Sequence, residues 1–302
     1  MGIMKTFRFC LLYLIALMLS TLSTPAYSCS ATPADADRGA YIADTSHCAQ
    51  GADARIRFLV MHYTEETEAD SLRILTGKNV SAHYVVPDAP PVRDGKPVVW
   101  QLVPEEQRAW HAGASYWQGA TELNASSIGI ENVNLGPTDR PAPGTAPWPL
   151  PRSWHSWPRA QVEAIIALSK DIVQRYQIAP TRVVAHSDIA PQRKIDPGPL
   201  FPWKALYDAG VGAWPDDATV QRYLARRNPS SLVDVRELQQ KLARYGYDMA
   251  ANGVLDERTR HVIAAFQMHF RPRDYQGNPD AETDAIVSAL LEKYLPLAKE
   301  AP

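Results

Sequence analysis

The stretch RIRFLVMHYT, residues 55–64, is an apolar run that ends in a single histidine, His62. Apolar residues fall on both alternating faces of this run, which is typical of a β-strand in a sheet that is covered on both sides. Four later segments have the same short, β-rich character: AHYVVP (82–87), KPVVWQLV (96–103), SIGIENVN (127–134) and RVVAHSD (182–188). Together these five segments predict the strands of one sheet.

A long amphipathic helix is predicted between the last two of these strands. The segment PRAQVEAIIALSKDIVQRYQI (158–178) has apolar residues at helical spacing, and Pro158 suits the first turn of a helix. Strands that alternate with helices are typical of the α/β class.

Three further helices are predicted in a small C-terminal region. VRELQQKLARYGY (235–247) carries apolar residues on one face, and Gly246 can end this helix. LDERTRHVIAAFQMHF (255–270) begins with Asp256, a good N-cap, and ETDAIVSALLEKYL (282–295) supplies the third helix. A helical domain of about 65 residues is close to the lower limit for a self-sufficient core.

A proline-rich segment interrupts the α/β region between Asn134 and Trp157. Its six prolines disfavour regular structure, and its three tryptophans disfavour free disorder. Two interpretations stay open. The segment is either an insertion packed on the surface or a rim beside a functional site, where long ordered loops often occur.

The N-terminus has the pattern of an export signal. Lys5 and Arg8 precede FCLLYLIALML, an apolar run of 11 residues that is too short to span a bilayer, and small residues follow. We therefore expect an exported, periplasmic protein. Over the whole chain of 302 residues, 45% are hydrophobic, 21% are charged and the formal net charge is −2. These values are ordinary for a soluble globular protein and give no sign of a nucleic-acid partner.

The segment AYSC at the end of the signal leaves two fates open for Cys29. Ordinary cleavage would permit a Cys29–Cys48 disulfide in an oxidising compartment. The same four residues also resemble a lipobox, in which Cys29 is acylated and anchors the chain in the outer membrane, and we favour this interpretation.

We expect the protein to be a monomer. The patterns above divide the chain into five parts. They are a signal peptide (1–28), an N-terminal extension (29–54), an α/β domain (55–212), a linker (213–231) and a helical domain (232–302).

Polar side chains stand at or near the ends of three predicted strands: His62, Glu131 and His186. In open α/β sheets, functional sites form beyond the carboxyl ends of the strands, so we expect these three side chains to converge. The last strand continues as VVAHSDIAPQRKIDPG (183–198), which brings an ammonium and a second carboxylate to the same place.

Two imidazoles and one carboxylate are a known ligand set for catalytic zinc, and His62, His186 and Asp196 fit it. A zinc ion would activate a water molecule at neutral pH. Glu131 could accept the proton of that water and pass it to a leaving nitrogen, and Lys194 could offset the charge that develops on a carbonyl oxygen. Taken singly, each residue has an ordinary structural explanation, including a Lys194–Asp196 ion pair. Their combination favours a hydrolase.

Five ordered motifs carry a resemblance to a known family: FLVMHYT, SAHYVV, RAWHAGASYWQG, LNASSIGIENVN and VVAHSDIAPQRKIDPG. They closely resemble the zinc-dependent N-acetylmuramoyl-L-alanine amidases related to peptidoglycan-recognition proteins, over roughly residues 50–210. Within that family the chain looks most like the proteobacterial envelope amidases that carry an extra C-terminal domain.

The resemblance implies a central mixed β-sheet flanked by helices and one zinc ion per chain. It also implies hydrolysis of the amide bond between N-acetylmuramic acid and L-alanine in peptidoglycan or muropeptides, as in cell-wall turnover. Residues matching His83 and His111 lie near the substrate groove in this family, where they contact either the substrate or the metal ligands. Trp110 beside His111 could stack on a sugar or pack in the core. We therefore include these three residues as candidate substrate-binding residues.

The C-terminal region resembles the three-helix peptidoglycan-binding module, although Asn252-Gly253-Val254-Leu255-Asp256 departs from the usual Asp-Gly and Phe-Gly pairs. Wall binding and a purely structural cap both stay open for it. Two rival functions would require other features of the sequence. A non-catalytic peptidoglycan receptor typically lacks a metal ligand, whereas all three are present here. A cysteine amidase would need Cys48, which has no evident activating helix N-terminus.

Overall fold

A five-stranded sheet forms the centre of the computed structural model, which describes residues 36–44, 47, 49, 51–139, 149–227 and 232–296. Residues 1–53 and residues 54–302 are two separate compact units. In the described part of the first unit, β1 (Ala36–Asp37) pairs antiparallel with β2 (Ile42–Ala43). The predicted signal peptide, the acylation of Cys29 and the disulfide with Cys48 all fall outside the described residues.

The strands of the second unit have the following bounds: β3 Phe58–Tyr63, β4 Tyr84–Val86, β5 Val92–Arg93, β6 Lys96–Pro97, β7 Trp100–Gln101, β8 Tyr116–Trp117, β9 Ala120–Thr121, β10 Ser127–Asn132 and β11 Val183–Ala185. The central sheet has the order β11-β3-β10-β4-β7. Its first four strands run parallel, and β7 is antiparallel to β4. The prediction of a central mixed sheet is therefore confirmed.

The register of the three central strands places the polar residues at one edge. Glu131 lies opposite His62 in the β3–β10 pair. Ala185 lies opposite Met61 in the β3–β11 pair, so His186 leaves the sheet beside His62. Since parallel strands share the direction of their carboxyl ends, all three polar residues point to the same end of the sheet.

Eight α-helices are present among the described residues: α1 Glu68–Leu75, α2 Arg159–Tyr176, α3 His186–Ile189, α4 Trp203–Asp208, α5 Asp217–Ala225, α6 Val235–Tyr245, α7 Glu257–Phe270 and α8 Ala281–Tyr294. Two 3-10 turns cover Leu123–Ala125 and Pro180–Arg182. No helix in the described ranges combines the length and apolarity that a membrane crossing requires.

The predicted helix signals act as expected at several ends. Pro158 stands directly before α2, and the Asp256 side chain caps α7 by accepting a hydrogen bond from Thr259 N. Gly246 ends α6 with a positive φ that suits glycine. Helix α1 was not predicted, although its N-cap Thr67 accepts from Asp70 N three residues later, which is a recognisable start signal.

The two faces of the sheet are covered by different parts of the chain. Leu59 and Met61 of β3 face a cluster that includes residues of α2 and α4. Phe58 and Val60, on the alternate face, belong to a cluster that also contains Leu238, Val262, Phe266 and Leu290 of the C-terminal helices. The C-terminal helices therefore share one hydrophobic core with the sheet, and the predicted linker contributes α5 with Val220 to the same core.

Candidate metal centre and active site

His62, His186 and Asp196 converge on one point at the carboxyl edge of the sheet. The two Nδ1 atoms are 2.9 Å apart, and each lies 3.1 Å from Asp196 Oδ2. All three side chains are buried, and among the described residues they are the group that could hold a metal ion. For zinc with ligand distances near 2.0–2.1 Å, tetrahedral ligand atoms are separated by about 3.3 Å, close to the spacing seen here.

Hydrogen bonds on the far side of each ring determine which nitrogen carries the proton. His186 Nε2 lies 3.2 Å from the carbonyl oxygen of Ala112, which can only accept, and 3.4 Å from the Arg193 guanidinium, which can only donate. The shorter contact favours a ring that donates from Nε2. The Nδ1 atom of a neutral His186 is then left with a lone pair that points towards His62.

A longer chain of hydrogen bonds has the same effect on His62. The Ser127 hydroxyl donates to Leu123 O at 2.6 Å, so its oxygen accepts from His111 Nε2 at 3.1 Å. The Nδ1 atom of His111 therefore accepts from His62 Nε2 at 3.0 Å. This order leaves His62 Nδ1 with a free lone pair as well.

Two lone pairs and a carboxylate oxygen thus face one another across about 3 Å in a buried place. Such an arrangement is repulsive unless a cation lies between the three atoms. Burial, followed by the neighbouring His186 ring, lowers the pKa of His62 to about 4. Burial raises the pKa of Asp196, but the two imidazoles outweigh it and hold that pKa well below its usual range. A neutral His62 imidazole and an ionised Asp196 carboxylate are the protonation states that metal binding requires.

Glu131 is placed beside this group by its pairing with His62. Its Oε2 atom is buried and has no hydrogen-bond partner in the described ranges. Burial, and next the charge of Asp196, raises the pKa of Glu131 well above its ordinary value, while Lys194 partly opposes this. A buried carboxyl with a raised pKa and an unused oxygen atom is typical of a general acid or base.

Lys194 lies two residues before Asp196 and is partly exposed. Its ammonium group forms no ion pair with a carboxylate of the described residues, so the alternative of a Lys194–Asp196 pair is absent there. The positive charge still acts on the site, because it lowers the pKa of both Glu131 and His62.

The three candidate substrate residues have different surroundings. His83 is fully buried, accepts from Gly129 N at 3.0 Å and contacts Gln107 O at 3.1 Å, a geometry that favours a structural role. His111 is buried in the chain of hydrogen bonds behind His62. Trp110 is about half exposed, and the Arg108 guanidinium lies 4.0 Å above its ring.

Sequence reasoning did not find several residues that position these groups. Asn124 Oδ1 accepts from the backbone N–H groups of His111 and Ala112 and so holds that loop. Gly129 lies directly under the His111 ring, where a Cβ atom would be 2.4 Å from Cγ. A glycine inside the strand pattern SIGIEN was the available signal, since it often marks such a close approach.

The described flanks of the proline-rich segment are packed. Asp139 accepts from the backbone N–H groups of Arg152 and Ser153, at 2.9 and 3.1 Å. Trp154 packs over Gly198, where a Cβ would be 2.7 Å from the indole, and donates to the Tyr275 hydroxyl at 2.9 Å. Both flanks are therefore part of the folded surface close to the segment that carries Asp196.

Comparison with known proteins agrees with this arrangement. Residues 52–199 match the family model described as N-acetylmuramoyl-L-alanine amidase, and residues 231–286 match that of a putative peptidoglycan binding domain. The chain is 51% identical over 266 residues to N-acetylmuramoyl-L-alanine amidase AmiD of Escherichia coli (strain K12), which covers 88% of this chain and 93% of that protein.

Two solved structures extend the similarity to the fold. The complex of E. coli AmiD with anhydro-N-acetylmuramic acid-L-Ala-D-gamma-Glu-L-Lys has a TM-score of 0.78 and 52% identity, covering 86% of this chain and 98% of that one. AmpDh3 of Pseudomonas aeruginosa has a TM-score of 0.73 and 41% identity with the same coverage.

The chain combines a mixed sheet, a buried His-His-Asp group at the carboxyl edge of that sheet and a C-terminal helical region. Together with the similarity to solved amidases, this combination defines the chain as an amidase of the peptidoglycan-hydrolysing class. The chain belongs to the N-acetylmuramoyl-L-alanine amidase family. The predicted family, fold class and enzyme class are thereby confirmed.

Proposed function

We propose that the chain is a zinc-dependent enzyme and that His62, His186 and Asp196 hold the zinc ion. The observation that carries this proposal is the position of the His62 and His186 Nδ1 atoms, which lie 2.9 Å from each other and 3.1 Å from Asp196 Oδ2. When bound, zinc would polarise the scissile carbonyl group and lower the pKa of a water molecule. The bond to be hydrolysed is the amide between the lactyl group of N-acetylmuramic acid and L-alanine.

Glu131 and Lys194 have separate roles in this proposal. Glu131 accepts a proton from the attacking water and returns it to the leaving amine, for which its buried, unpartnered Oε2 and raised pKa are suited. Lys194 stabilises the negative charge that develops on the carbonyl oxygen, since its ammonium is not neutralised by a described carboxylate.

Soluble anhydromuropeptides are the substrates that the comparisons support best. The solved complexes of AmiD and AmpDh3 contain an anhydro-N-acetylmuramic acid tripeptide and an anhydromuramic pentapeptide, respectively. In the present chain, the exposed ring of Trp110 beside the site is suited to stack on the sugar. Intact peptidoglycan is a second substrate, supported by the match of the C-terminal helices to a peptidoglycan binding domain.

We further propose a periplasmic location with a lipid anchor on Cys29 in the outer membrane, supported by the signal pattern and the lipobox-like AYSC segment. Mass spectrometry of the processed protein decides between the two fates of Cys29. Acylation adds the mass of the lipid to a Cys29 N-terminus. An unmodified N-terminus with a mass two hydrogen atoms lower than that of the reduced form indicates the disulfide with Cys48 instead.

The first test measures zinc content and muropeptide hydrolysis together. We expect about one zinc ion per chain and release of free stem peptide from the unaltered mature protein, and loss of both in Asp196→Ala. Asp208→Ala is the matched control, because Asp208 forms its ion pair, within the described part of the chain, with the exposed Lys204 of the same helix. An unaltered protein that hydrolyses muropeptides without metal would show that the zinc assignment is wrong.

A further inference from the structure

Asp188, two residues after His186, joins the metal-ligand segment to the C-terminal helices. Its buried carboxylate accepts three hydrogen bonds. Oδ2 accepts from Ala185 N at 2.8 Å and is 2.7 Å from His269 Nδ1, and Oδ1 accepts from the Tyr247 hydroxyl at 2.6 Å. Ala185 immediately precedes His186, whereas His269 lies on α7 and Tyr247 follows α6. One carboxylate therefore connects the backbone beside a metal ligand to two side chains of the C-terminal region.

The His269 ring is itself fixed on both sides. It stacks on Trp203 of α4 with a centroid distance of 3.8 Å and an interplanar angle of 18°. It also stacks against the neighbouring Phe270 at 4.0 Å and 8°. Both groups that contact Asp188 from the C-terminal region are almost completely buried. A buried carboxylate is costly to separate from its donors, so Asp188 has one favoured position.

The other end of the same segment also contacts α7. Ile195, between Lys194 and Asp196, packs on a cluster that contains Ala264 and Met268 of that helix. A backbone hydrogen bond of 2.9 Å from Ser187 N to Asp196 O joins the two ends. The segment between the two metal-ligand candidates is thus held by α7 at both of its ends.

We propose that the C-terminal helices are a positioning element of the active site and that Asp188 transmits their position to His186. Tyr247 and His269 orient Asp188, which holds the backbone N–H of Ala185 and so sets the direction in which the His186 ring leaves β11. This role differs from wall binding, and it rests on the proposed metal role of His186 and Asp196.

The test uses the full mature chain with the substitutions Tyr247→Phe and Asp188→Asn. Tyr247→Phe removes one donor and keeps the ring in the core, and Asp188→Asn keeps the shape of the side chain. Zinc affinity is measured by competition with a chelator, and metal geometry by the visible absorption spectrum of the cobalt-substituted protein. We expect zinc affinity to fall about tenfold in each variant, as for other groups that orient metal ligands, with a changed cobalt spectrum.

Tyr294→Phe is the matched control. It also removes one hydroxyl of the C-terminal helices, but that hydroxyl contacts the backbone of Trp214, outside the metal-ligand segment. We expect its zinc affinity and cobalt spectrum to equal those of the unaltered chain. If Asp188→Asn does not fold, Tyr247→Phe decides the question alone.

Two negative results are distinguishable. If the unaltered chain binds zinc and Tyr247→Phe matches Tyr294→Phe in zinc affinity and in the cobalt spectrum, the contact is packing only and the positioning role is wrong. If the unaltered chain binds neither zinc nor cobalt, the proposed metal centre is wrong and the positioning role is overturned with it.

Discussion

His111 supports the metal centre although it is not one of the ligand candidates. Its Nδ1 atom accepts from His62 Nε2, and its Nε2 atom donates to Ser127. Burial, with smaller contributions from the neighbouring histidines, lowers the pKa of His111 well below its usual value, so the ring stays neutral and keeps one accepting nitrogen. This single tautomer directs the lone pair of His62 towards the metal position.

We predict that His111→Ala lowers zinc affinity by about 10- to 100-fold, because the His62 ring loses the group that sets its tautomer and orientation. Chelator competition measures the change. His155→Ala is the control, since His155 is exposed. Equal zinc affinities in the two variants would show that His111 does not support the metal site.

Glu131→Gln is predicted to lower kcat by about 100- to 10,000-fold while zinc content stays near one per chain, because glutamine cannot carry the proton. Muropeptide hydrolysis and metal analysis check both parts. The exposed Glu66→Gln is the matched control. A variant that keeps full activity would exclude Glu131 as the base, and one that loses zinc would indicate a ligand role.

At the scale of elements, β10 approaches the loop that carries His111 so closely that only glycine fits at position 129. A Cβ there would lie 2.4 Å from His111 Cγ, so either the ring or the strand must move. We predict that Gly129→Ala destabilises the fold by about 1–3 kcal/mol, the usual cost of overpacking, and also weakens zinc binding.

Thermal unfolding and chelator competition on Gly129→Ala check the two effects. Gly51→Ala is a suitable control, since nothing lies within 4 Å of a Cβ at that position and its φ is not positive. Unchanged zinc affinity in Gly129→Ala, despite a lower Tm, would mean that the His111 ring adapts without disturbing His62.

Helix α2 is joined to the sheet edge by the carboxylate of Glu105. It accepts from Arg175 at 2.5 and 2.8 Å, from Tyr84 at 2.7 Å and from Tyr176 at 2.8 Å. Burial raises the pKa of Glu105, but these hydrogen bonds outweigh it and lower the pKa from 4.5 to about 2. Because the folded pKa is depressed, the stabilisation is complete above about pH 4.5 and is lost as the pH falls towards 2.

We therefore predict that Glu105→Gln lowers the free energy of unfolding by about 2 kcal/mol at pH 7 and by much less near pH 2.5. Denaturant titrations at several pH values measure the difference. Glu163→Gln, in an exposed ion pair on the same helix, should change stability by less than about 1 kcal/mol at any pH. If the loss of unfolding free energy in Glu105→Gln were the same at every pH, the ionised carboxylate of Glu105 would not be the source of this stabilisation.

At the scale of the whole molecule, the catalytic and C-terminal regions share one core. Phe58 and Val60 of the sheet pack in the same cluster as Leu238, Phe266 and Leu290 of the C-terminal helices. Separating the two regions would expose these side chains, each of which contributes about 2 kcal/mol by its burial. The C-terminal helices therefore cannot be treated as an independent module on a flexible linker.

We predict that residues 54–302 unfold in one cooperative transition. Differential scanning calorimetry of the mature chain should show a single peak in which the calorimetric and van't Hoff enthalpies agree. A disruptive core substitution in the C-terminal helices, Phe266→Ala, should lower the Tm of that single peak. Two separate peaks, of which only one responds to Phe266→Ala, would show that the regions unfold independently.

Local patterns were sufficient for most of the elements. Short β-rich runs, FLVMHY and SIGIEN, identified β3 and β10, and helical spacing identified α2 and the three C-terminal helices. These predictions succeed because apolar periodicity and capping are properties of neighbouring residues. The short strands β5, β8 and β9 were not predicted, since two-residue pairs leave too little pattern to recognise. The predicted strand 96–103 divides into β6, which pairs with β5, and β7, which joins the central sheet.

The sequence by itself determined the chemistry available to this protein: two strand-end histidines, a carboxylate from the following segment, and a glutamate and a lysine nearby. Only the tertiary structure decided how these groups are oriented. The tautomer of His62 depends on His111, Ser127 and a backbone carbonyl, and the placement of His186 depends on Asp188 and residues from α7. Contacts between residues separated by 49 and 81 positions leave no periodic signal, because they arise only when the chain has folded.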